Sequence, residues 1–315
     1  MGGLLERVRA TGLLEAGGGP YVVLLSGGRD STCLLDLAVA LAGAPDVRAL
    51  HVDYGLRGAD SDGDREHCVA LAARLGVGLE VRRAGPPAGN VQGWARGVRY
   101  AAGAEAVAAA GPGARLVAGH TTTDQVETIL YRLAVSPGRR ALLGMEAETE
   151  RLIRPLLAAE VTREETAAWC AARGLAWRED ASNVDRSYAR ARVREGLLPA
   201  LRDLDPRAEV NVLRTARLLR DEAAVLDAVV AQALGGRDHL TRAELAALPP
   251  ALGRLVLRRL AEDAVGGLCA RAATRLDDVL ALGDDGALDL GDGARALVAA
   301  GTVRVGRTPA RAPKR

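Results

Sequence analysis

The run Ser26-Gly27-Gly28-Arg29-Asp30-Ser31-Thr32 follows four apolar residues, Val22-Val23-Leu24-Leu25. A buried strand, a glycine turn and a helix opening at Ser31 make a phosphate cradle. Two glycines let backbone N–H groups approach an anion, and the helix N-terminus adds positive potential. No lysine follows the glycines, which excludes the common nucleotide loop whose lysine reaches the terminal phosphates. Asp30 stands there instead. A carboxylate beside phosphates repels them unless a cation lies between, so Asp30 implies Mg²⁺.

A second group sits in Gly119-His120-Thr121-Thr122-Thr123-Asp124-Gln125-Val126-Glu127-Thr128. Asp124 and Glu127 are three apart on an expected helix, so their carboxylates share a side. An imidazole with two carboxylates suits a metal ion or an ammonium group. The competing reading is a capped helix with solvated acids, Thr123 or Asp124 being the cap. Arg57, Arg96 and Arg99 put positive charge near the same place, and Arg190, Arg192 and Arg194 form a further cluster. That cluster is read as a phosphate contact in preference to a solvated face paired with Glu195. Trp169 and Trp177 are read as core residues. Asp60-Ser61-Asp62-Gly63-Asp64 lacks the glycine position and closing Glu of a calcium loop, and Gly291-Asp292-Gly293 has no following βαβ unit. Both are read as turns.

Positioning these groups requires a βαβα rhythm. Strands are expected at Val22–Leu25, Val47–Val52, Leu79–Val81 and Leu116–Ala118. Helices are expected at Leu4–Ala10, Ser31–Leu41, from Ser61 to Leu75, from an Asn90 cap to Ala110, and at Asp124–Leu133. Such alternation predicts an α/β fold with a doubly wound parallel sheet. Ligands then bind beyond the carboxyl ends of the strands, where Ser26, Asp53 and His120 fall together. Arg154-Pro155-Leu156-Leu157 reads as a linker-like turn. Helices are expected at Thr162–Arg173, Leu197–Leu201 and Glu209–Ala233. The catalytic domain is placed at 1–213, with a smaller, mostly helical domain at 214–306. Helices at Thr241–Leu248, Leu252–Val265 and Cys269–Leu282 precede a β-meander, and a disordered basic tail covers 307–315.

The 315 residues suffice for two cores. A net charge of +2 provides no global field for a polyanion, so nucleic acid must be met by local arginines. Lys314 is the only lysine. Cys33, Cys68, Cys170 and Cys269 are scattered, with no C-x-x-C pair, which argues against a zinc or closely spaced iron–sulfur motif. No basic-then-apolar leader and no long apolar span is present, so a cytoplasmic location with no membrane contact is expected.

The loop resembles the SGGxDS motif of the PP-loop ATP pyrophosphatases. Further segments narrow the resemblance to the tRNA(Ile)-lysidine synthetase family, in its short form with one C-terminal domain. They are His51-Val52-Asp53-Tyr54-Gly55-Leu56-Arg57, Ala95-Arg96-Gly97-Val98-Arg99-Tyr100, the run His120 to Thr128 and Arg154-Pro155-Leu156-Leu157. Trp177-Arg178-Glu179-Asp180-Ala181-Ser182-Asn183 and Arg190-Ala191-Arg192-Val193-Arg194 before Leu198-Pro199 complete the set. The order holds over about two-thirds of the chain. Tyr54 replaces the family's usual His, Thr123 the first Asp of a pair, Val135-Ser136 an Arg-Gly, and Ala191 an Asn.

The resemblance implies a ligase that joins free L-lysine to carbon 2 of the wobble cytidine of the CAU-anticodon isoleucine tRNA. The base is adenylated first, and ATP becomes AMP and pyrophosphate. It implies ATP binding by Ser26, Gly27, Gly28, Arg29, Asp30, Ser31, Thr32 and Asp53, with Mg²⁺ on Asp30 and Asp124. Asp30, Arg99, His120 and Asp124 would be catalytic, and Asp124 and Glu127 would hold lysine. Arg57, Arg96, Arg190, Arg192 and Arg194 would hold tRNA, with help from the C-terminal domain, and a homodimer is compatible. The alternatives are a PP-loop tRNA sulfurtransferase, an amide-forming synthetase of the same superfamily, and an inactive tRNA-binding paralogue. The scattered cysteines oppose the first, the lack of an amidotransferase domain the second, and intact Ser26, Asp30 and Asp124 the third.

Overall fold

A computed structural model describes residues 2–87, 89–136, 138–179 and 189–309. The chain divides into two compact units, one of residues 1–128 with 145–213 and the other of residues 129–144 with 214–315. The Asp180-Ala181-Ser182-Asn183 part of the Trp177 motif lies outside the described residues, as does the expected tail from residue 310.

The first unit carries β1 (Tyr21–Leu24), β2 (Val47–Asp53), β3 (Gly78–Arg83), β4 (Arg115–Val117) and β5 (Leu152–Ile153). They form one sheet in the order β3-β2-β1-β4-β5, with every pairing parallel. The helices are α1 (Gly2–Arg9), α2 (Arg29–Ala42), α3 (Ala59–Leu75), α4 (Val91–Ala110), α5 (Thr122–Val135), which runs past residue 128 across the division, α6 (Pro155–Ala158) and α7 (Arg163–Ala172). α8 (Ala189–Arg192) and α9 (Leu198–Leu204) follow, joined by a π-helical turn at Val193–Leu197. Pro199 lacks an N–H for the i−4 carbonyl, and its ring crowds that group, which accounts for the widened turn just before it.

The apolar strands are buried on both faces, because side chains alternate along a strand. Tyr21, Val23 and Leu25 join Leu34, Leu37 and Cys68 of α2 and α3 in one core. Val22 and Leu24 join Ala102, Ala106 and Val107 of α4 in a second core on the opposite face. The sheet is therefore doubly wound. Trp169 and Trp177 pack on the first core, as expected.

Three sequence expectations change. α2 begins at Arg29, not Ser31, so Asp30 lies in its first turn, where a carboxylate is favoured by the helix dipole. Asp60–Asp64 is no turn; it opens α3, for the same electrostatic reason. Arg154–Leu157 is no linker. Ile153 is fully buried in β5, and Pro155 starts α6 with its missing N–H at a position that needs none. β5 spans only two residues, too few for a period-2 signal.

The second unit holds α11 (Arg242–Ala247), α12 (Pro250–Val265) and α13 (Leu276–Leu280). α10 (Ala208–Leu234) crosses the division between the units. The expected meander is four-stranded, because β6 (His239–Thr241) pairs with β9 (Thr302–Arg307) beside β8 (Ala294–Ala299) and β7 (Ala287–Gly291). Val256, Leu257, Val298 and Val303 form its core. β9 runs through Arg307, whose guanidinium donates to the carbonyl of Val265 at 2.9 Å, so the ordered chain extends beyond 306. Gly291-Asp292-Gly293 is the turn between β7 and β8. Among the described residues no helix is long and apolar enough to cross a membrane.

Removing the Ile153 side chain beyond Cβ leaves a cavity against the first core. Ile153→Ala is expected to lower unfolding free energy by about 3 kcal/mol. Urea denaturation followed by tryptophan fluorescence checks it, since Trp169 and Trp177 report that core.

Candidate active site

The loop after β1 is shaped by its two serines. The Ser26 N–H donates to Ser31 Oγ at 3.2 Å, the Ser31 hydroxyl donates to the Gly28 carbonyl at 2.9 Å, and the Gly28 N–H donates to Ser26 Oγ at 3.3 Å. Gly27 has φ +82°, which favours glycine, and an added Cβ would sit 3.3 Å from Cys68 Sγ. The loop thus turns onto the N-terminus of α2, with Arg29, Asp30, Ser31 and Thr32 in the first turn. Gly119, at the end of β4, lies against this turn: a Cβ there would be 3.2 Å from the carbonyl oxygen of Asp30. The two motifs therefore meet backbone to backbone.

Asp124 does two things with its two oxygens. Oδ2 accepts from the Thr121 N–H at 2.8 Å and from its hydroxyl at 3.0 Å, while the Asp124 N–H donates to Thr121 Oγ1 at 3.4 Å. This reciprocal capping makes Thr121 the cap of α5, not Thr123 or Asp124. Oδ1 faces Arg163, 3.6 Å from Nη2. The same guanidinium lies 3.4 Å from Asp30 Oδ2 and 3.8 Å from Glu127 Oε1. Three expected site carboxylates thus surround one cation. Glu127 is nearly buried and also accepts both Nε and Nη2 of Arg194, at 2.6 and 2.9 Å. That bidentate bond raises the Arg194 pKa. Thr166 donates its hydroxyl to Asp30 Oδ1.

His120 is half-buried beside Arg154, whose Nε donates to its Nδ1 at 3.2 Å. Burial pushes the imidazole pKa down to about 4, with Arg154, Arg99 and Arg96 adding to the fall and Asp124 opposing it. Arg99 Nε donates to the Tyr54 hydroxyl at 3.1 Å, which donates to the Ala95 carbonyl at 3.2 Å. Tyr54, the departure from the family's His, therefore holds Arg99, and its ring meets Trp94 edge-on at 5.8 Å. Arg96 lies 4.8 Å over the Tyr100 ring. Asp53, at the end of β2, accepts from the Gly55 N–H at 2.9 Å and faces Arg65 at 3.5 Å. Arg57 pairs with Asp64, on the β2 side of the rim. Arg190 and Arg192 lie in α8.

Arg163, Arg154 and Thr166 were not singled out as site residues from sequence. One signal was present: Arg163 is the first residue of α7, after a Thr162–Glu165 capping box. A cation at the positive end of a helix is unfavourable unless carboxylates offset it.

Asp30 Oδ2 lies 3.4 Å from Arg163 Nε and Asp124 Oδ1 3.6 Å from Arg163 Nη2. Among the described residues no group of three His, Cys, Asp or Glu could hold a metal ion by itself; two carboxylates are a donor set that Mg²⁺ takes when substrate phosphates and water complete its shell.

An all-parallel, doubly wound sheet with this glycine loop at its switch point defines a PP-loop protein. A family model described as a PP-loop domain matches residues 9–201. A tRNA(Ile)-lysidine synthase from Solibacter usitatus is 38% identical over 262 residues, covering 80% of this chain and 59% of that protein. One from Salinispora arenicola is 40% identical over 264 residues, covering 78% and 77%. The chain belongs to the tRNA(Ile)-lysidine synthase family. It spans 59% of the length of the Solibacter relative. The fold is also that of the U34-tRNA thiolase NcsA from Methanococcus maripaludis with its [4Fe-4S] cluster, at a TM-score of 0.55 and 18% identity over 69% of this chain and 78% of that one.

Arg194→Ala leaves the buried Glu127 charge without its closest partner and is expected to cost about 3 kcal/mol of stability, read by thermal or urea unfolding. His120 gives a pH prediction. Its folded pKa of about 4 lies below the ordinary 6.5, so the unfolded chain binds a proton first. The stability it contributes is present above pH 6.5 and is lost as pH falls toward about 4. Urea unfolding across that window should show a shallower pH dependence in His120→Gln than in the parent.

Proposed function

We propose that this chain ligates L-lysine to carbon 2 of the wobble cytidine of the CAU-anticodon isoleucine tRNA, with ATP converted to AMP and pyrophosphate through an adenylated base. Membership of the lysidine synthase family supports this reading. The observation that carries it is the meeting of the Ser26–Thr32 loop with His120 and Asp124 at one sheet rim, through Gly119.

In this reading the loop and the N-terminus of α2 hold the ATP phosphates. Asp30 and Asp124 would hold Mg²⁺, which supplies charge neutralisation on the pyrophosphate when bound. Asp53, on the same rim, faces the nucleotide. Arg99, fixed by Tyr54, offsets negative charge that develops on the reacting groups. Asp124 Oδ1 and Glu127 receive the lysine ammonium, and Arg163 yields part of its place to it. Arg194 anchors Glu127, and in this reading Arg190, Arg192, Arg57 and Arg96 meet RNA phosphates. The location is cytoplasmic, the C-terminal unit contributes to tRNA binding, and a homodimer is compatible.

The test is incubation with tRNA, ATP, Mg²⁺ and labelled lysine. Label is expected in RNA with equimolar AMP. Sulfur transfer without lysine transfer would replace this reading with a thiolase. Asp30→Ala should abolish AMP formation. Filter binding should show tRNA affinity falling steeply with salt, and Arg190→Glu should flatten that slope by about one counterion.

A further inference from the structure

Arg154 holds the imidazole of His120 in a defined state. A guanidinium has donors only, so the nitrogen that faces Arg154 Nε, His120 Nδ1 at 3.2 Å, must carry a lone pair. A neutral ring then has its proton on Nε2. Neutrality follows from burial and from the surrounding arginines, 96, 99 and 154, with Asp124 as the opposing charge.

Arg154 is itself fixed. It is 6% exposed, its Nη1 donates to the Glu146 carbonyl at 2.5 Å, and its N–H donates to the Ala147 carbonyl at 2.8 Å. It follows β5 directly and is the cap residue before Pro155 of α6, so it approaches His120 from the junction of two elements. His51 shows the opposite tautomer. Its Nδ1 lies 2.9 Å from the Leu25 carbonyl, which only accepts, so its proton is on Nδ1.

We propose that Arg154 is a positioning residue that sets His120 as an Nε2–H donor, and that His120 serves the ligation by donating a hydrogen bond to a substrate oxygen that gains negative charge, not by accepting the lysine proton. A base at this position would need a lone pair on the ring nitrogen left to the substrate, and Arg154 has claimed the lone pair. The proton released by the amine then goes to a rim carboxylate. The catalytic half of this proposal rests on the ligase reading; the tautomer does not.

Two measurements test it. Two-bond ¹H–¹⁵N correlation on uniformly labelled protein at neutral pH separates the tautomers of four histidines. His120 is expected as Nε2–H and His51 as Nδ1–H, with His120→Gln and His51→Gln giving the assignments. His120 found as Nδ1–H, or charged, overturns the proposal. Arg154→Met should release His120 to a tautomer mixture, and an unchanged tautomer overturns the positioning role. If Arg154→Met does not fold, Arg154→Lys, which keeps a donor, must retain the Nε2–H pattern. Lysine transfer supplies the second readout. Gln presents an amide N–H near the place of Nε2–H but cannot act as a base. His120→Gln should stay within about tenfold of the parent rate, whereas His120→Ala should fall by about a hundredfold or more. Equal losses in the two variants overturn the donor role. Absence of lysine transfer in the parent would count against the ligase reading while the spectrum still reads the tautomer.

Discussion

Three carboxylates, Asp30, Asp124 and Glu127, converge on one guanidinium, Arg163. Like charges that close raise one another's energy unless a cation lies among them. Much of the first unit serves this requirement. The dipole of α2 favours Asp30, the Thr121 cap holds one oxygen of Asp124, and Arg194 clamps Glu127. Arg163, Arg194 and Arg29, whose Nε lies 3.4 Å from Asp30 Oδ1, set three cations against the three carboxylates, yet the central cation comes from the first residue of a helix, where the dipole disfavours it.

The positive half of the rim is organised separately. Arg99 leans on Tyr54, Arg96 on Tyr100, and Arg154 on His120. Each arginine has an aromatic or imidazole partner rather than a carboxylate in these contacts. The rim thus has an acidic side centred on Arg163 and a basic side centred on His120, and β4 and α5 bring them together.

The sheet was legible because its signals are local and strong. Alternating apolar runs, a glycine loop and an Asn90 cap each announce themselves within a few residues, and β1 to β4 follow from them. The loop, His120 and Asp124 were legible because glycine and charged residues at strand ends have few structural uses. β5 and β6 were not: β5 spans two residues, and β6, His239-Leu240-Thr241, holds a single apolar residue, so neither carries an apolar run, and each pairs at the edge of its sheet. Arg163, Thr166 and Arg154 reach their partners across more than thirty positions, and a pairing at that distance leaves no spacing to read. Arg194 shows the same limit from the other direction: the cluster of arginines was visible, but not that one of its members turns inward to a glutamate 67 residues earlier.

Gly119 carries a consequence of its own. With no side chain there, the segment that follows β4 and carries His120 rests directly on the backbone at Asp30, in the Ser26–Thr32 loop. The two halves of the site therefore share a wall and cannot be adjusted one at a time. A drift in the loop displaces the imidazole, and a drift in the strand deforms the cradle. In variant libraries, substitutions on either side of that wall should show strong epistasis with each other, and the tolerated ones should occur as matched pairs.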